Sequence, residues 1–282
     1  MRAEISQLQN VEMTDADFKK ISGLIYDLCG IHLNDGKKEL VKARLGKRIR
    51  GGRFSSFRDY YQYIVQDQTG QELVHMLDSI STNFTSFFRE RKHFDYLQSE
   101  LLPGLISGKK EKRIRFWSAG CSSGEEVYSI VITLLETLEN PSAWDLKVFA
   151  TDLSSKVLKM AASGIYARER IQSIPLALVK KYFLRGEEHW QDFVKVKDVL
   201  KKYVFFRRLN FREPFLFPEP FDCIFCRNVM IYFDKRTQAS LVNRFYENLT
   251  KGGVLLIGHS ESLAGIQHPF RYVKPAIYQK EK

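Results

Sequence analysis

The sequence is poor in cysteine, with four in 282 residues, at positions 29, 121, 223 and 226. That is too few for a disulfide framework in a chain of this size. Cys223 and Cys226 have C-x-x-C spacing but lie inside the apolar run FDCIFC. On a strand, side chains three apart point to opposite faces. No second pair or neighbouring histidine completes a zinc site, so both are expected to be buried strand residues, and no metal is expected. Long apolar runs are also missing. None approaches the roughly 20 residues that span a bilayer. The opening MRAEISQLQNVEMT has neither the basic region nor the apolar segment of a signal peptide. A cytoplasmic location without membrane insertion is the expectation. There is no internal repeat and no low-complexity tract.

Negative charge is in short supply: 33 Asp and Glu face 44 Lys and Arg, a formal net charge of +11. Such a balance implies an acidic partner, whether nucleic acid, anionic membrane or acidic protein surface, and composition does not choose among them. With 44% apolar and 27% charged residues, the chain is globular with ample core, enough for one large domain or two ordinary ones.

What the chain does contain is a strand, glycine turn, helix, strand unit over residues 113–152. An apolar run at 114–117 suits a buried strand, and Gly120 and Gly124 bracket a turn of small residues. Val127, Ile130, Val131, Leu134, Leu135 and Leu138 then recur at helical spacing. A second apolar run, 148–150, leads to Asp152 at the strand tip. In open parallel sheets ligands bind beyond the carboxyl ends of the strands, where such an acid can accept ribose hydroxyls. The turn reads G-C-S-S-G followed by Glu125 and Glu126, not the G-x-G-x-x-G that cradles a pyrophosphate. Two carboxylates in the first helical turn complement the helix dipole but repel phosphate. They suit a nucleoside ligand carrying positive charge and no phosphate, such as S-adenosylmethionine.

Residues 14–80 read as helices. Thr14 to Asp17 resembles a capping box, with Phe18, Ile21, Leu24, Ile25 and Leu28 on one face. The second helix, near 36–50, is a basic island. Residues 37–53 hold eight positive charges against Glu39 alone, while the rest of residues 1–80 holds four positives and ten negatives. Lys38, Lys42, Arg44, Lys47, Arg48 and Arg50 are the expected docking surface for an acidic partner. Residues 81–94, STNFTSFFRERKHF, alternate polar and aromatic side chains before a helix that runs into the first strand. Residues 185–205 break the α/β rhythm and suggest a small antiparallel insertion. A buried strand at 221–226 ends in Arg227-Asn228, and a terminal hairpin closes the sheet. The pattern predicts an α/β, Rossmann-like class I methyltransferase sheet preceded by an all-helical domain. The expected division is 1–80 helical, 81–94 linking and 95–282 the methyltransferase domain, with 185–205 as an inserted β-subdomain.

Four stretches, TNFTSFFRE, AGCSSGEEVYS, FATD and FCRNVMIYFD, together resemble the CheR family of chemotaxis receptor glutamate O-methyltransferases. The resemblance covers nearly the whole chain, including the helical module and GHSESL at 258–263. The departures, Cys121-Ser122-Ser123 and Val127 where relatives often carry another small residue and a proline, remove no functional group. The resemblance implies S-adenosylmethionine as methyl donor, S-adenosylhomocysteine as product, and the acidic helices of chemoreceptors as partner. By its motifs, Asn83, Thr85 and Arg89 belong to the segment folding over the donor. Gly120 and Glu125 belong to the donor turn, and Asp152 is the ribose acid. Asn210, Phe211, Arg227 and Asn228 line the donor's adenine and methionine ends. Arg89 and Tyr232 stand beside the transferred methyl. In some members the β-subdomain grips a tether peptide at the receptor's C-terminus, so 185–205 is expected to contact receptor.

The chemistry agrees. A glutamate with pKa about 4.3 is ionised at neutral pH and needs no strong general base to attack a sulfonium methyl. An arginine such as Arg89 can orient that carboxylate, unless it is spent on a surface ion pair with Glu90 or Glu100. Two other readings use the same residues. A nucleic-acid methyltransferase would exploit the positive charge, but the chain lacks the N/D-P-P-Y/F turn of amine and base methyltransferases, and Cys226 lies within an apolar strand. A binding module that senses the donor without turnover would not need both Arg89 and Tyr232. His259, at a strand end, is expected to be structural.

Overall fold

The computed structural model describes residues 11–80 and 83–281, with Gly52 and Arg53 described by their backbone alone. Residues 1–10 of the expected helical module, Ser81 and Thr82 of the linking segment, Lys282 and the Arg53 side chain of the basic run lie outside the described residues. The chain forms two compact units. One holds residues 11–80 with 211–213 and 232–234; the other holds 83–210, 214–231 and 235–281.

The first unit is built on helices Asp15–Cys29, Lys38–Arg48, Phe57–Gln66 and Gln71–Ile80. The first of them begins in a reciprocal capping box: Asp17 N–H donates to Thr14 Oγ1 at 3.1 Å, and Thr14 N–H to Asp17 Oδ2 at 3.2 Å. Phe18, Ile21 and Ile25, then Val41 and Leu45, then Phe57, Tyr60 and Ile64, then Met76, Leu77 and Ile80 are buried. Each such aliphatic or aromatic side chain contributes about 1.5–3 kcal/mol by leaving water. Residues 232–234 join this unit through a bridge of Phe233 to Ile31 and a 2.7 Å bond from Tyr26 Oη to Asp234 Oδ2. The His32 N–H also donates to the Tyr232 carbonyl at 2.8 Å.

The second unit carries a seven-stranded sheet and a three-stranded one. In chain order the strands are β1 Arg113–Ala119, β2 Asp145–Asp152, β3 Ile165–Ala167, β4 Phe183–Arg185, β5 Phe193–Val196, β6 Val204–Arg208, β7 Phe221–Cys226, β8 Leu249–Ile257, β9 Arg271–Lys274 and β10 Ile277–Gln279. The large sheet has the order β6-β2-β1-β7-β8-β10-β9. Strands β6, β2, β1, β7 and β8 run parallel, and β10 is antiparallel to both β8 and β9. Strand β7, central in the sheet, is buried along its whole length, which is why it reads as an unbroken apolar run. Cys223 and Cys226 are buried in it, and burial pushes both thiols well up. Among the described residues no helix is long and apolar enough to cross a membrane.

The small sheet, in the order β3-β5-β4, draws on earlier residues than the expected 185–205 span. Val204–Arg208 pairs with β2 in the large sheet. Strands of three residues, such as β3 and β4, are too short to show periodicity. They hold because Tyr166 and Phe183 pack edge-on against Phe87, at ring distances of 5.2 and 5.5 Å.

Candidate functional site

The site grows from the carboxyl ends of β1 and β2. Gly120 turns the chain with φ of 90°, and a Cβ there would stand 2.4 Å from Val229 Cγ2, so the position takes no other residue without a shift. The N–H groups of Gly120 and Cys121 both donate to the Thr151 carbonyl, at 2.8 and 2.9 Å, tying the turn to β2. Asp152 is held from both sides: Ser122 N–H donates to Oδ2 and Ser154 N–H to Oδ1, each at 2.9 Å. The helix Glu125–Thr137 starts directly after this turn. Glu125 is fully buried; its carboxylate accepts Ser123 Oγ at 2.7 Å and pairs with Arg170. Arg170, 45 residues away in sequence, carried no motif by which sequence reasoning could have found it.

The segment from Asn83 is laced to the same turn and helix. Ser122 Oγ donates to the Asn83 carbonyl at 2.9 Å, and Phe88 N–H donates to Ser129 Oγ at 2.9 Å. Phe87 is buried, whereas Thr85 and Arg89 are half-buried. Phe88 and Glu90 adopt left-handed backbone, with φ of 53° and 56°. Such conformations cost of order 1–3 kcal/mol each and persist only where the surroundings impose them. The Arg89 guanidinium rests on Phe84, donating to its carbonyl at 2.9 Å and lying 5.9 Å from its ring centroid.

What imposes them is Arg227, at the end of β7, whose side chain is 2% exposed. Its guanidinium donates to Glu126 at 2.9 Å, pairs with Glu90 at 3.1 Å and donates to the Arg89 carbonyl. One cation thus joins the covering segment, the donor-turn helix and the central strand. Burial lifts the Glu126 carboxyl above its ordinary value despite this partner. At Glu90 burial also pushes upward, but Arg227 and the His259 amide outweigh it and leave the carboxyl below its ordinary value. Asn228, left-handed at φ 58°, donates its N–H to Glu261 Oε2 at 2.8 Å. The Gly258 N–H reaches the same oxygen, so Glu261, which motif reading left without a role, joins the ends of β7 and β8.

Of the residues singled out from sequence, the second unit therefore assembles Asn83, Arg89, Gly120, Glu125, Asp152, Arg227 and Asn228 around the ends of β1, β2 and β7. Asn210 is buried just beyond Leu209, whose N–H donates to the Asp152 carbonyl at 3.0 Å. Phe211 and Tyr232 fall in the first unit, where Phe211 meets the Phe233 ring edge-on.

Residues 16–81 match the model of the CheR methyltransferase all-alpha domain, and residues 83–278 that of the CheR methyltransferase SAM binding domain. The chain belongs to the CheR methyltransferase family. It is 41% identical over 276 residues to the chemotaxis protein methyltransferase of Borreliella burgdorferi, covering 96% of each chain. It is 37% identical over 280 residues to that of Escherichia coli, covering 99% of this chain and 95% of the other. Among solved structures, the N-methyltransferase NodS of Bradyrhizobium japonicum with bound S-adenosylhomocysteine is similar at a TM-score of 0.34 and 14% identity, over 70% of this chain and 69% of that one.

As a CheR-family chain it is a methyltransferase dependent on S-adenosylmethionine, and its residues fit that group chemically. A carboxylate is an acceptor with about four positions, the chemistry that a donor's ribose hydroxyls would need at Asp152. The first turn of the helix offers carboxylates, not phosphate ligands.

Within the first unit, the basic helix is less open than its charge count suggests. Lys38 pairs with Asp15 and Lys42 with Glu12, Arg48 pairs with the buried Glu72, and Arg44 donates to the Ile80 carbonyl. Four of the six expected docking residues thus have partners inside the unit, while Lys47 and Arg50 are exposed. The Lys38 and Lys42 pairs are at the surface, where such pairs are weak; Arg48 holds a buried acid and is structural.

Arg227→Ala is expected to lower unfolding free energy by about 3–5 kcal/mol, because Glu90 and Glu126 lose a buried partner. Adding Glu126→Gln should recover part of that loss. Urea denaturation of the two variants checks both statements.

Proposed function

We propose that this CheR-family chain methylates glutamate side chains on acidic, helical cytoplasmic regions of chemoreceptors. The observation that carries this reading is the state of Arg89. Among the described residues it forms no ion pair, and the two acids that the sequence offers as partners are engaged elsewhere: Glu90 with Arg227 and Glu100 with Lys274. A guanidinium kept out of internal pairs, in the segment assigned to cover the donor, suits capture of an incoming carboxylate. Relatives named chemotaxis protein methyltransferases supply the biological setting.

In this reading Asp152 holds the donor ribose, and Glu125 faces the donor's ammonium while sharing its charge with Arg170. Arg89 aligns the substrate glutamate. A carboxylate oxygen attacks the methyl carbon, the carbon–sulfur bond breaks and its electron pair stays on sulfur. An ester and neutral S-adenosylhomocysteine result, and no proton moves. Anion and sulfonium both lose charge, so water exclusion and alignment favour the step. Receptor docking falls on the exposed Lys47 and Arg50.

Incubation with methyl-labelled donor and chemoreceptor membranes should place label on receptor that mild alkali releases as methanol. Label on nucleic acid that survives alkali would replace this reading with base methylation, the alternative that the net charge favours. Separately, Lys47→Glu with Arg50→Glu should reduce receptor methylation several-fold, the more so at low salt. Donor affinity by calorimetry should be unchanged; equal losses in both would remove the docking assignment.

A further inference from the structure

Three side chains that methyl transfer does not use converge where the covering segment meets the loop after β8. Glu90, His93 and His259 each offer one donor atom, and the three atoms lie within 4.8 Å of one another. His93 Nδ1 is 3.5 Å from Glu90 Oε2, and the two imidazole rings stand edge to face at 4.8 Å and 74°. His93 is 1% exposed, and among the described residues neither of its ring nitrogens has a hydrogen-bond partner. Buried polar groups are nearly always partnered, and leaving one unpaired costs of order 1–3 kcal/mol. A buried imidazole aimed at a carboxylate and a second imidazole is the arrangement that a metal ion completes.

We propose that Glu90, His93 and His259 form a site for a divalent transition-metal ion, specifically Zn2+. Two imidazoles and one carboxylate are a borderline donor set that suits zinc over magnesium or calcium, with solvent in the fourth position. Bonds of about 2.0–2.1 Å in a tetrahedron place ligand atoms about 3.4 Å apart. The Glu90–His93 pair already has nearly that spacing. His259, exposed at the end of β8, supplies both the remaining adjustment and the route of entry. The carboxylate has its own supports: Glu90 Oε2 accepts Arg227 Nε at 3.3 Å and the His259 N–H at 3.2 Å, the outer hydrogen bonds that orient a metal ligand. Arg227 opposes an incoming cation, but it is already shared between Glu90 and Glu126, so the cluster is not positive overall. Sequence spacing gives no hint of the site, since its third member lies 166 residues beyond the second (259 minus 93). The ion would pin the residue following Arg89 to the end of β8.

The test uses the full chain, tag-free and stripped with chelator, titrated with zinc chloride by calorimetry. It needs no receptor and no methyl donor, so its outcome is independent of the substrate reading. One ion per chain should bind, with a rise in thermal midpoint, and Co2+ in its place should show the visible band of a tetrahedral site. His259→Ala, a change at an exposed position, should weaken binding about tenfold or more and abolish the midpoint rise. His189→Ala, at an exposed histidine elsewhere, should leave both intact. Absence of stoichiometric binding, or binding that survives both His259→Ala and Glu90→Gln, would overturn the proposal.

Discussion

The buried guanidinium of Arg227 is the constraint on which the rest of the second unit depends. It sits at the tip of the central strand β7 and binds two carboxylates and one carbonyl, drawn from the covering segment and from the donor-turn helix. A charge so enclosed is costly unless every partner is present. The geometry is therefore close to all-or-none, with Glu90, Glu126 and the Arg89 carbonyl placed together or not at all. The left-handed backbone at Phe88 and Glu90 is tolerated for that reason. Arg89, between them, has its backbone held while its side chain rests on the exposed ring of Phe84.

A second constraint acts at the turn. Gly120, Ser122 and Gly124 all have positive φ, which brings the backbone round so that Ser122 N–H meets Asp152 and Ser122 Oγ meets Asn83. Asp152 and Asn83 are thus both fixed by one serine. Together, the turn and the Arg227 cluster hold the covering segment at both ends, with Phe87 between them in its aromatic pocket. The reaction proposed for this site asks for little else, since it requires alignment and dryness and no proton transfer.

Much of this was legible in the sequence where the signal is local. Helical spacing picked out Phe18, Ile21 and Ile25; the run 114–117 marked β1; and the small residues before Glu125 marked a turn that Ser122 ties to Asp152. What was not legible depends on contacts distant in sequence. The motif places Arg227 in a backbone stretch, and nothing local told that its side-chain charge is spent on Glu90 and Glu126. The partner of Glu125, Arg170, stands in no motif. The charge run at 37–53 pointed to a surface, but charge counting is blind to Glu72 waiting for Arg48. The three-residue strands β3 and β4 are too short for any periodic pattern, so the small sheet was placed too late in the chain.

Hydrogen exchange at the amides of residues 83–92 tests the central claim most directly, comparing the unaltered chain with Arg227→Lys. A lysine keeps the charge but cannot reach two carboxylates and a carbonyl in the same plane. If Arg227 holds the covering segment, the Phe88 amide should exchange markedly faster in the variant while the amides of β1 keep their protection. Equal protection of Phe88 in both proteins would show that the segment is held by other contacts, and the account built on Arg227 would fail.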